Sequence, residues 1–102
     1  MGRIEMDLQK ANSQAAQLER IAQRLYSLSY SKMDAVINDI GSNWDGVNAK
    51  SFCTKGRRLS HEVATSATNL RRIAEHIRIV ARNTYEAEKR AEEIARERNY
   101  KK

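Results

Sequence analysis

The stretch Ile40-Gly41-Ser42-Asn43-Trp44-Asp45-Gly46 decides the fold, because it is the one place in the chain where a helix would be interrupted. Two glycines with Ser, Asn and Asp crowd into it, which combines a helix stop with N-cap residues for a following helix. Pro is absent and Gly occurs only four times in 102 residues, so no other break is signalled. The expected layout is a single domain over 1–102, with helix one over about 3–41, a turn over 41–46 and helix two over about 47–98.

Upstream of the turn, Ile4, Leu8, Ala11, Ala15, Leu18, Ala22 and Leu25 step by fours and threes, the spacing of a helix seam. A second stripe through Ile21, Leu28, Met33, Val36, Ile37 and Ile40 broadens the apolar face toward the turn. Downstream, Phe52, Gly56, Leu59, Val63, Ser66, Leu70, Ile73, Ile77, Val80, Thr84, Ala87, Ala91 and Ile94 keep the alternation without a break. At 1.5 Å per residue the helices would be roughly 55 Å and 75 Å long, so the second should overhang the first from near Thr84.

The fold class that follows is all-α: an antiparallel helix-turn-helix hairpin. A seam this wide would leave Leu, Ile and Val side chains in water if the hairpin stood alone. Burying about ten of them is worth on the order of 10 kcal/mol before entropy losses, enough to make association part of folding. Two chains are therefore expected to form a four-helix bundle, with Leu18, Leu25, Phe52, Leu59, Val63, Leu70, Ile73 and Ile77 as the dimer seam.

Composition excludes several classes. With 40% hydrophobic and 31% charged residues and no Pro, a sheet fold is ruled out. The lone Cys53 rules out an internal disulfide and reads as a small, partly buried filler. No window approaches the roughly 18 apolar residues of a membrane span, and MGRIEMDLQK has no apolar core, so membrane insertion and a cleaved signal peptide are not expected. The net charge of +6 comes from 19 Lys and Arg mixed with 13 Asp and Glu, the pattern of solvated helix faces rather than of a nucleic-acid site. His61, His76 and Cys53 lack the spacing of metal ligands, and neither Cys53 nor any Ser has an activating base in a cleft, so no metal, cofactor or catalytic residue is expected. Tyr26 and Tyr30 form an i, i+4 pair, and Arg71, Arg72, Arg78 and Arg82 make a basic strip. That strip is either solvated surface or a contact for an acidic partner.

Trp44-Asp45-Gly46 is a Trp-x-Gly triplet, with Ala49 and Phe52 three and six positions after Gly46. In length, central turn and heptad stripes the whole chain resembles the WXG family, the early secreted antigenic target-like helical hairpins of about one hundred residues. Gly46 supplies a backbone conformation closed to other residues, Trp44 can lay its ring over the end of the bundle, and Phe52 would anchor the first turns of helix two. The resemblance implies a non-enzymatic protein that pairs as a homodimer or with a related hairpin chain. It is made in the bacterial cytoplasm and secreted folded by a type VII system through its ATPase, or serves as targeting partner of a larger, LXG-type toxin.

In that family a second signal, a Tyr followed four positions later by Asp or Glu, ends helix two near the partner's Trp-x-Gly turn. Here Tyr85 is followed at the fourth position by Lys89, and the acid is Glu88, one residue early. Positions i+3 and i+4 share a helix face, so Tyr85 and Glu88 are the candidate C-terminal signal beside Trp44 and Gly46. The densely charged tail 86–102 fits an overhang. The competing functional class is a basic helical nucleic-acid-binding or regulatory protein that shares only the hairpin shape.

Overall fold

The computed structural model describes residues 2–101. They form one long hairpin measuring 85 × 19 × 11 Å. Arm one consists of α1 (Arg3–Ser27), a π-helical segment (Leu28–Met33) and α2 (Asp34–Asn43), and arm two is the 55-residue α3 (Val47–Lys101).

Small side chains join the arms. Ala15, Ala22, Ser29 and Ile37 on arm one and Cys53, Ser60, Ala67 and Ala74 on α3 are the buried residues. On α3 they recur every seventh position, so one narrow column faces arm one along its length. Small residues there let the two backbones approach closely, and the larger side chains are displaced to the flanks. Phe52, expected to anchor the first turns of helix two, is 54% exposed within the hairpin; Cys53, its neighbour, turns inward. Leu59 and Ile73 are likewise exposed, while Leu18, Leu25, Val63, Leu70 and Ile77 are half-buried beside the column.

The π-helical segment keeps arm one in step with α3. Counting seven from Ser29 reaches Val36, yet Val36 is 56% exposed and Ile37, one residue on, is 4% exposed. The wider turn absorbs one extra residue, so the column resumes on Ile37. A polar lock sits beside it. The Ser60 hydroxyl donates to Asp34 Oδ1 at 2.7 Å. The Ser29 hydroxyl lies 2.8 Å from both the carbonyl and the hydroxyl oxygen of Ser60.

Arm one runs past Gly41 and Ser42 to Asn43, two residues beyond the expected stop. Asn43 caps backward, its Nδ2 donating to the Asp39 carbonyl at 2.9 Å and to Asp39 Oδ1 at 2.8 Å. The reversal needs only Trp44, Asp45 and Gly46. The longer arm and shorter turn carry the start of α1 further along α3 than expected. Arg3 pairs with Glu88 at 3.5 Å and Glu5 with Lys89 at 3.0 Å, so the overhang begins at Arg90 rather than near Thr84.

Candidate interaction surface

The hairpin has two unlike edges, set by which heptad positions flank the small-residue column. On one edge Phe52, Leu59, Ile73 and Val80 of α3 and Ile21, Leu28 and Val36 of arm one are each between 40% and 56% exposed. With the half-buried Leu18, Leu25, Met33, Val63, Leu70 and Ile77 they make a continuous apolar face. Exposed large apolar side chains gathered on one edge over 52–80 of α3 and 21–36 of arm one make that edge the candidate interaction surface.

The opposite edge is ionic. Arg78 pairs with Glu19, and Lys89 with Glu5. Arg71 donates to Gln23 Oε1 at 3.1 Å and lies 5.6 Å from the ring centre of Tyr26, which packs against Tyr30 at 4.6 Å. The hydrogen bond from Lys89 holds the Glu5 carboxyl below its usual pKa, and the same bond raises the Lys89 ammonium. Of the basic strip read in the sequence, Arg71, Arg78 and Arg82 are engaged within the chain, Arg82 with Glu86 at 3.9 Å. Arg72 makes no ion pair among the described residues.

At the tip, Gly46 has φ +107°, which excludes residues with a Cβ at low cost, and its carbonyl accepts the Lys50 N–H at 3.2 Å to start α3. Trp44 is extended, with φ −121° and ψ 132°, and its N–H donates to the Ile40 carbonyl at 2.9 Å. Its side chain is 68% exposed and, with Ile40, Asn48, Ala49 and Phe52, lines a shallow groove.

Tyr85 and Glu88 lie at the other end. Both are half-buried and line a groove with Ile4, Leu8, Ile77 and Val80. Along α3 this end is about 60 Å from Trp44, so one chain does not bring the two candidate signals together. His61 and His76 are both exposed on α3, and Cys53 is buried, its Sγ 3.6 Å from the Ile37 carbonyl. Among the described residues no helix is long and apolar enough to cross a membrane.

Sequence reasoning missed Ser29, Asp34 and Ser60 as a unit, and missed Ala67 and Ala74 as arm contacts. The available signal was the strict seven-residue recurrence of small residues at Cys53, Ser60, Ala67 and Ala74. Compared with known proteins, the chain matches no family model, no curated protein and no solved structure.

Proposed function

We propose that this chain is a substrate or targeting partner of a type VII secretion system, acting as a non-enzymatic hairpin that pairs with a second hairpin through its apolar face. The observation that carries this reading is the Trp44-Asp45-Gly46 triplet at the tip of the hairpin, with Gly46 at φ +107° and the Trp44 ring presented to solvent. A Trp used only as a hydrophobic plug would be buried.

In this reading the second hairpin lies antiparallel over the apolar face and completes a four-helix bundle. Trp44 of one chain then stands beside Tyr85 and Glu88 of the other, which joins the two signals into one composite surface at each end. The secretion ATPase is the reader of that surface, and a larger LXG-type toxin is the alternative occupant of the apolar face.

Export of Trp44→Ala and Gly46→Ala from a host with an active type VII system tests the proposal. Both variants should remain helical and accumulate inside the cell. Normal export of both would remove the recognition role.

A further inference from the structure

We infer that the ionic edge and the adjoining outer face of α3 bind single-stranded nucleic acid, with a base stacked on Tyr30 and the phosphates taken by bases of α3 between Lys50 and Arg72. The inference is independent of the secretion reading, because a second hairpin on the apolar face leaves this edge open. Its ground is where the charge sits. Between positions 50 and 72, α3 carries Lys50, Lys55, Arg57, Arg58, Arg71 and Arg72 against one acid, Glu62. This short stretch holds five of the six net charges of the chain, and the remainder is nearly balanced, thirteen bases against twelve acids. All six bases are exposed, and none makes an ion pair among the described residues. The signs that read as mixed along the sequence are separated in the fold. The paired bases Arg3, Arg78, Arg82, Lys89 and Arg96 all lie toward the open end.

The buried column fixes which way these side chains lie. Lys50, Arg57 and Arg71 come three residues before Cys53, Ser60 and Ala74, on the ionic edge, and Arg58 and Arg72 continue it onto the outer face. Thr54, His61 and Thr68, one residue after Cys53, Ser60 and Ala67, stand between them as exposed hydrogen-bonding groups. Lys55 and Glu62, two residues after Cys53 and Ser60, are further round the helix, so this quadrant of α3 contains no acid from Lys50 to Arg72. On the facing arm, Asp34 is taken by the Ser60 hydroxyl at 2.7 Å. Arginine and lysine with hydroxyl groups between them are the usual partners of phosphate oxygens. Tyr26 and Tyr30 add what charge alone lacks. Their ring centres are 4.6 Å apart, Arg71 lies 5.6 Å from the Tyr26 centre, and Gln23 holds Arg71 at 3.1 Å without neutralising it. Tyr30, braced by Tyr26, is 56% exposed. A base can stack on that ring only when no duplex already stacks it, which selects a single strand. An acidic polypeptide would answer the charges and leave the ring unused. From Lys50 to Arg72 the bases span about 33 Å, so the strand runs along α3.

The test is the fluorescence anisotropy of a labelled oligo(dT) strand of about fifteen nucleotides, inside the usual range of site sizes, titrated with the full chain. Log affinity should fall with log salt at a slope no steeper than about −4, since each phosphate met contributes about −0.7 and six bases are available. Tyr30→Ala should lower affinity about tenfold, the loss of one stacked base, while Tyr30→Phe keeps the ring and the affinity. Arg58→Gln with Arg72→Gln should flatten the slope by about 1.4. Arg90→Gln with Arg98→Gln removes the same charge from the overhang and should leave the slope unchanged. Circular dichroism establishes that every variant remains helical. Absence of binding at low salt overturns the inference. So does an equal loss from the two double variants, which would mean attraction to net charge alone. A duplex of the same length bound as tightly, or unchanged affinity in Tyr30→Ala, would mean that no base stacks there. Poly-L-glutamate displacing the strand as well as unlabelled oligo(dT) does would assign the edge to an acidic protein instead.

Discussion

Gly56 faces Ile37 so closely that a Cβ built on it would stand 3.0 Å from Ile37 Cγ1 and 3.1 Å from Cδ1. Ile37 is 4% exposed and would have to give way by a few tenths of an ångström, so the constraint at Gly56 comes from packing and not from its backbone conformation. At Gly41 the same construction meets Cys53 Sγ at 3.7 Å and Arg57 Nη2 at 3.9 Å, which are ordinary contacts. Alanine in a helix interior gains up to about 1 kcal/mol over glycine. Gly41→Ala should therefore stabilise the hairpin by a fraction of that amount, whereas overpacking at Gly56→Ala should cancel the gain and cost about 1 kcal/mol. Thermal or urea unfolding of the two variants at matched concentration checks the opposite signs.

The π-helical segment predicts an asymmetric response to deletion. Removing Lys32 takes out the extra residue, so Ser29 and Ile37 come seven apart and the column continues as plain α-helix. The variant should keep its helicity and lose no more than about 1 kcal/mol of stability. Removing Gln17 instead pushes Ala15 out of step with Ala22, Ser29 and Ile37, and should cost several times more, as a large defect in core packing does. Circular dichroism and denaturant melts distinguish the two.

Ser60→Ala removes the donor to Asp34 Oδ1 and a partner of Ser29 in one step. Leaving a partly buried carboxylate oxygen without that donor should cost about 1–2 kcal/mol. The double variant Ser29→Ala with Ser60→Ala should cost less than the sum of the single changes, because the two hydroxyls share one network. A double-mutant cycle on unfolding free energies measures the coupling.

The ion pair at the open end sets a small pH dependence. Lys89 lowers the pKa of Glu5, so the stabilisation it gives is present above the ordinary carboxylate value of 4.5 and is lost as pH falls through the depressed folded value. Lys89 is raised by the same bond, so its share persists below 10.5 and disappears as pH rises through its elevated value. Glu5→Gln should melt slightly below the parent at pH 7. The gap should close in acid and narrow in high salt, since both side chains are partly exposed.

The hairpin and its tip are legible in the residues because Gly, Asn and Asp act locally. Gly46 and Trp44 are found from the turn alone. Which column joins the arms is not local: large side chains mark the apolar side, but close backbones need small ones between them, so Cys53, Ser60, Ala67 and Ala74 do the joining. The inserted residue is visible only as an irregular step, Leu25, Ser29, Met33, Ile37, where three fours in a row replace the alternation. Tyr85 and Glu88 share a groove with Ile4 because of the register between arms, which sequence spacing within one helix does not carry. The same register draws Arg71 and Arg78 of the strip to Gln23 and Glu19 on arm one, while Arg82 pairs with Glu86 along α3 itself.

The narrowness of the seam also gives the molecule a mechanical direction. Its rungs are Ile37 with Cys53, Ser29 with Ser60 and, by the same register, Ala22 with Ala67 and Ala15 with Ala74. Each rung hides little surface, and the alanine rungs are toward the open end, where Arg3 meets Glu88. Tension pulling the arms apart there loads one weak rung at a time and peels the hairpin toward Trp44. Tension along the rod loads every rung together. A single chain is thus easily unzipped from one end and hard to stretch lengthwise.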